Sequence, residues 1–482
     1  MTGSNECFGG VDEQSRSRGQ FNMDSNSIYR SDSMSSHRAP PQTVEAVTCG
    51  NDDRVECREA TVEGATAEHD TNSDGHPYRG YMIILAGFAA NFVVFGFAFT
   101  YGVFQDFYLS ADGPLHGKSP SSVSIIGTLA TGLTYLLTFM NNAVLRYLSI
   151  RQVMIAGSLL MSMGLVCASF ASEIWHFALT QGVMFGIGGA MTYLPPVIHA
   201  PPYFKTHRGT AMGLLFSGTG IGGLVLAPLT RFLITRIGWN WALRVCGMIS
   251  FIFLVPTSLL VHPHQSTLSV HESDKLRIIP LNSKLFTNRK FIIHMAGAAF
   301  QSAGYLIPGY YMSSFGQTLG FSYNEGSVLI GINNAVNAAS KIVVGYSSDK
   351  FGRFNMLVLC CVLSSLTVLG LWLTSTRGTF ISFVVLYGAV SGPIISLLPT
   401  CLVELFGLQN YQSSTWFLYF CRGAGTFLGS PIAGLFIRNG ALVPRDYRNT
   451  ILYNAALFLA NSSCFIFVRT LVALDNNWKL KQ

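Results

Sequence analysis

Charge is scarce in this chain of 482 residues: Asp, Glu, Lys and Arg make up 11% of it, against roughly 25% in an ordinary soluble domain. That shortage argues for a membrane protein. Acidic residues are scarcer still where they would matter most, because 14 of the 24 fall within the first 79 positions. The remaining acids lie in loops or near the ends of apolar runs, so no carboxylate is expected mid-membrane to carry a proton. The ten cysteines have no paired or metal-type spacing, and Cys167, Cys246, Cys360, Cys361, Cys401, Cys421 and Cys464 sit inside apolar runs as small buried side chains. A nucleophile beside a base, a metal cluster and a phosphate loop are all lacking, which argues against an enzyme and against a cofactor or metal. The first apolar run begins near Tyr81 and is too long for the core of a signal peptide.

What the chain has instead is length without charge. Residues 1–79 are rich in Ser, Asp, Glu, Gly and Asn with no period, the composition of a disordered tail. From Tyr81 to Phe104 no charge occurs over 24 residues, enough to cross a hydrocarbon core that needs about 20 helical residues. Comparable runs follow near 121–141, 152–172, 174–197, 209–234 and 240–261, then, after a basic segment, near 291–315, 324–346, 354–373, 379–403, 412–437 and 450–470. The expected organisation is a tail (1–79), a first six-helix bundle (80–261), a central loop (262–290), a second six-helix bundle (291–470) and a short terminal tail (471–482). With the amino terminus inside, fifteen Lys and Arg fall on the inner side and six on the outer, so the positive-inside bias puts both termini in the cytosol.

Twelve spans split by a basic loop invite a search for two related halves. Gly188, Leu194 and Pro195 recur as Gly392, Leu398 and Pro399, and Gly218 and Gly220 recur as Gly423 and Gly425, at nearly one offset. Most of these glycines are read as sites of close helix packing.

The residues from Asn333 to Arg353, NNAVNAASKIVVGYSSDKFGR, join a helical run holding one lysine to a short charged turn. Gly345, Asp349, Lys350, Gly352 and Arg353 match the G-x-L-A-D-R-x-G-R signature of the major facilitator superfamily, with Ser347 for Leu and Lys350 for Arg. The chain therefore resembles that superfamily, which implies an all-α membrane protein of twelve transmembrane helices in two pseudo-symmetric six-helix halves. In such a turn the Asp can accept hydrogen bonds from a helix N-terminus or pair with Arg, and making or breaking that contact gates one side. The first-half counterpart is degraded, with Arg146 where Asp is expected and Ser149 for the second Gly. The opening PYRGYMIILAGFAANFVVFGFAFTYGVFQDFY, the YFKTHRGTAMGLLFSGTGIGG entering span five and WNWALRVCG in span six are similar to fungal members of the monocarboxylate porter family.

A charge at the bilayer centre costs about 2.5–3.5 kcal/mol on insertion scales, so it lines a cavity or finds a partner. Asn334, Asn337 and Lys341 share one face of span eight, and a cation flanked by amides can hold a carboxylate. The alternative is a clasp between helices with Lys341 snorkelling to the surface. Arg422 in span eleven is a second candidate for substrate contact, and Asn91 is the one mid-span polar residue of span one. Arg244 is expected to snorkel outward and Glu404 to pair with a loop cation. The resemblance to animal lactate carriers implies an Asp and an Arg four apart in span eight. Asn337 and Lys341 hold those positions here, and span one lacks those carriers' lysine, which argues against a simple lactate symporter.

The resulting expectation is a multi-pass transporter, most naturally of the plasma membrane. It would move a small organic solute, a monocarboxylate or other organic anion, by alternating access. Its partners are the substrate and the lipid bilayer, with protons a candidate coupling ion and no nucleic acid. Riboflavin or secondary-metabolite transport on the same scaffold, and a nutrient receptor signalling through the tail, are the rival readings.

Overall fold

The computed structural model describes residues 77–145, 147–262, 283–437 and 443–475. Residues 1–76 of the expected amino-terminal tail, most of the central loop, Arg146 and the last residues lie outside them, while the last three residues of that tail already belong to the first helix. The described residues are helical throughout, with short connections. The long helices are α1 (Pro77–Leu109), α2 (Pro120–Leu136), α3 (Ile150–Ala168), α4 (Phe185–His199), α5 (Arg208–Ile237), α6 (Trp239–Leu259), α7 (Arg289–Thr318), α8 (Tyr323–Phe351), α9 (Arg353–Thr367), α10 (Arg377–Leu435) and α11 (Arg448–Asp475). A π turn over Ala178–Met184 leads into α4.

Among the described residues, ten helices are long and apolar enough to cross a membrane. The count reaches twelve for two physical reasons. First, α10 is 59 residues long, about 90 Å if straight and so too long for one crossing. Gly407 breaks it with φ 71° and ψ 171°, a backbone that glycine adopts without strain, so spans ten and eleven meet at one residue rather than across a loop. Second, α7 has the length of a span but carries Gln301, Ser302 and Tyr305, which lower its hydropathy.

Packing reveals the two halves. In the first, α1 lies along α5 and α3 contacts α4 and α6; in the second, α7 lies along span eleven and α9 contacts span ten and α11. Across the halves, α5 pairs with α8 and α2 with span eleven. The glycines refine the register of the repeat. Gly218 and Gly222 abut Phe88 and Phe92 of α1 just as Gly425 and Gly429 abut Ala299 and Ala303 of α7. Likewise Gly182 and Gly186 meet Leu129 and Leu133 of α2, whereas Gly388 and Gly392 meet Asn333 and Asn337 of α8. Gly188 instead faces Gly157 and Met161 of α3. The structural equivalences thus lie two positions away from the offsets that matched by letter, because a two-residue slip along a helix still pairs glycine with glycine.

Candidate functional site

A narrow cavity lies between the halves, walled by α1, α2, α4 and α5 on one side and by α7 and spans ten and eleven on the other. Its lining is largely aromatic, with Phe95, Phe99, Tyr135, Tyr193, Phe216 and Tyr305, and its polar atoms come from Asn91, Thr131, Thr219, Ser302, Thr426 and Arg422. Arg422 is 1% exposed. Its guanidinium carbon stands 4.6 Å from the centre of the Tyr135 ring and 5.4 Å from that of Tyr419, a cation–π arrangement that partly replaces lost hydration. Its Nε and one terminal nitrogen still have no hydrogen-bond partner. A guanidinium held by ring faces with two N–H groups unspent is prepared to take a planar acceptor in its fork.

Lys341 is wholly buried and donates to the Thr219 hydroxyl, which lines the cavity from α5. It therefore clasps α8 to α5 and also sets a second cation behind the wall, close enough to Arg422 for the two charges to repel. Among the described residues, no ion pair involves either cation. Asn337 donates to the Tyr305 hydroxyl at 3.2 Å and packs on Gly392, so it steers a lining residue without lining the cavity itself. Asn334 lies against Gly220 and Gly223 of α5, a contact between helices and not with the cavity. Asn91 lines the cavity, donates to the Gly87 carbonyl at 2.8 Å and leaves its side-chain oxygen unpartnered. The structure brings Asn91 and Arg422 together directly, Lys341 and Asn337 through one intermediary each, and leaves Asn334 aside. Sequence reasoning missed the tyrosines, although a mid-span Tyr is itself a signal, an apolar ring whose hydroxyl needs a partner.

The charged turn closes one end of the bundle. Asp349 accepts from the Gly209 and Thr210 amides and from the Thr210 hydroxyl, each at 2.8 Å, so it caps the N-terminus of α5 across the halves. Arg353 bonds Asp349 at 3.0 Å and Glu404 at 2.7 Å, and reaches the Thr206 carbonyl at 3.3 Å. Gly345 lets α8 approach Gly209 and Gly213 of α5, and Gly352 takes φ 93°, which ends α8 and starts α9. Lys350 is peripheral, with its ammonium 4.4 Å from the centre of the Tyr346 ring. Glu404 pairs with the cation of the turn. Arg244 bonds Ser169 at 3.0 Å and stacks between Phe170 and Trp241.

The family model described as Major Facilitator Superfamily matches residues 81–430 and 319–473. The chain belongs to the Major Facilitator Superfamily. It is 28% identical over 382 residues to the MFS-type transporter pynF of Aspergillus niger, covering 79% of this chain and 86% of that one. It is 24% identical to the riboflavin transporter MCH5 of Saccharomyces cerevisiae, covering 93% of this chain and 90% of the relative. The crystal structure of a point mutant of the nucleoside transporter NupG superposes with a TM-score of 0.58 at 13% identity, covering 81% of this chain and 99% of that one, a likeness of fold. This superfamily member is a multi-pass membrane transporter of a small solute and not an enzyme.

Proposed function

We propose that the protein carries an organic anion, a monocarboxylate or a larger acid, by alternating access between the two halves. The observation that carries this reading is Arg422: buried, facing the cavity, held by ring faces, and with two nitrogens unpartnered. Lys341 adds positive potential behind the same wall. A carboxylate in the Arg422 fork would satisfy those donors and offset the repulsion between the cations. The aromatic lining favours a substrate with a flat or apolar body behind its acid group, and the likeness to a riboflavin transporter keeps a flavin as a second reading. In this reading Asp349, Arg353, Gly345 and Gly352 form the gate of the cytosolic side, Lys350 is its solvated edge, both termini are cytosolic and the plasma membrane is the site of action.

The test is flux into reconstituted vesicles, with a panel of mono- and dicarboxylates, aromatic acids and riboflavin offered on either side. Saturable, mutually competitive flux of one or more acids supports the reading, and riboflavin as sole substrate selects the second. Arg422→Gln should cut acid flux sharply while leaving insertion intact, and Lys341→Gln, which acts from behind the wall, should lower it less; undiminished flux in Arg422→Gln overturns the anion assignment.

A further inference from the structure

Away from the central cavity, the second half buries a file of polar side chains between α7 and α11. His294 and Gln301 on α7 and Asn454 and Asn461 on α11 are each 0% exposed. None of their eight side-chain nitrogen and oxygen atoms has a hydrogen-bond partner. Within each pair the residues are seven apart, so each pair runs along one side of its helix. The packing turns these sides toward each other. The His294 ring lies edge-on to Phe465 at 5.2 Å, and a Cβ at Gly304 would stand 2.9 Å from the Asn454 side-chain oxygen. Gln301 and Asn461 fall between these two levels.

The surroundings do little to satisfy the file. Ser365 and Ser462 bond each other at 2.8 Å. The Leu398 carbonyl approaches His294, and the Cys361 thiol approaches Asn461, both more loosely than a hydrogen bond. Unpaired amides and an imidazole are costly in a low-dielectric interior, and four in one row call for an occupant. The donors and acceptors are all neutral, without a carboxylate to hold a metal or a cation to hold an anion. Water is the ligand that fits: small, neutral, and able both to donate and to accept.

We propose that the α7–α11 interface holds a short file of bound water, and that this water makes His294 a proton-exchanging group separate from the substrate cavity. The site is independent of the anion reading, because it shares none of its residues. His294 faces α9 through Phe354, α11 through Phe465 and span ten through Leu398. The titratable groups on those elements nearby are the thiols of Cys361, Cys464 and Cys401. The charged groups toward the same end are Arg353 and Glu404, paired with each other, Arg469, bonded to Asn355, and Lys290 on its own helix, paired with Asp475. Phe354 directly follows Arg353, so a proton gained at His294 sets a positive charge behind the Asp349 cluster and biases the halves toward separation at that end.

The experiment is X-ray hydroxyl-radical footprinting of the full chain in lipid nanodiscs, where buried residues beside bound water are labelled and dry ones are not. Phe458 and Phe465 should label about tenfold faster than Phe315 and Phe380, which are equally buried in an aromatic cluster of the same half. Equal, slow labelling of both sets would mean a dry interhelical clasp and overturn the proposal. For the proton, spin labels across the Asp349 end should report a distance distribution that shifts toward separation as the pH is lowered below neutrality. His294→Gln, which keeps hydrogen-bonding capacity without titrating, should keep the footprint and lose that dependence; retention of the dependence, or none in the unmodified chain, overturns the proton role. If that variant fails to insert, Asn461→Leu serves instead: it should lose the footprint at Phe458 and Phe465, and an unchanged footprint counts against bound water.

Discussion

The Tyr193 hydroxyl of α4 donates to the Tyr419 hydroxyl of span eleven at 2.8 Å, and this bond joins the two halves beside the cavity. Two turns earlier in span eleven, the Tyr411 hydroxyl donates to the Val197 carbonyl at 3.0 Å, so α4 and span eleven are tied twice. Tyr419 also stacks on Tyr135 and lies beneath Arg422. In the proposed reading, an acceptor that draws the guanidinium off these rings would loosen Tyr419, and with it the Tyr193 tie.

Tyr193→Phe removes the donor and keeps the ring. A neutral hydrogen bond is worth about 1 kcal/mol net, so the variant should shift the equilibrium between halves joined and halves apart about fivefold toward apart. The measurement is the distance distribution between spin labels on α4 and span eleven at the Asp349 end.

Arg422 separates charge from geometry. Arg422→Gln removes the cation, and because no carboxylate among the described residues pairs with it, the fold should survive. Loss of a charge-assisted contact of about 3 kcal/mol corresponds to a drop in kcat/KM for organic acids of roughly a hundredfold. Arg422→Lys keeps the charge without the planar fork and should recover only part of that flux, with the loss concentrated in KM. Vesicle uptake at graded concentrations gives both numbers.

Arg353 holds two buried carboxylates at once, with side chains of Arg353, Asp349 and Glu404 only 11%, 5% and 12% exposed. Arg353→Gln leaves both acids without their cation, a change expected to cost about 3–5 kcal/mol. Glu404→Gln in the same chain removes one orphaned charge and should restore a good part of the stability. The thermal unfolding midpoints of the four chains of this double-mutant cycle check it, and a double variant no more stable than Arg353→Gln contradicts the pairing.

What could be read from the letters follows from how local each signal is. The absence of charge over whole spans and the Asp349 turn are contiguous in sequence, and both led to the superfamily and to its twelve-span fold. Gly407 escaped notice as a kink, because a glycine between two apolar runs reads equally well as part of a loop. The aromatic wall was not legible, since Tyr135, Tyr193 and Tyr305 come from three helices and nothing in their local sequences marks them as neighbours. Asn334 shared a face with Asn337 and Lys341 as expected, yet a helix face about 100° wide can serve two neighbours at once, here α5 and the cavity wall.

The glycines between α5 and α8 give the last expectation. A Cβ at Gly220 would stand 2.5 Å from the Asn334 carbonyl oxygen and 2.9 Å from both the backbone nitrogen and the Cβ of Ala338. Two of these atoms are backbone and cannot swing aside, so Gly220→Val can be accommodated only by moving α5 away from α8. That movement pulls the N-terminus of α5 off Asp349. In the native chain the Gly209 and Thr210 amides donate to Asp349 at 2.8 Å; in the variant they should exchange hydrogen at least tenfold faster, the consequence of losing about 1.4 kcal/mol of closure. Gly309→Ala in α7, where a Cβ meets nothing within 4 Å, is the matched control and should leave that exchange unchanged. Native protection at Gly209 and Thr210 in Gly220→Val would mean that the α5–α8 seam does not govern the Asp349 contact.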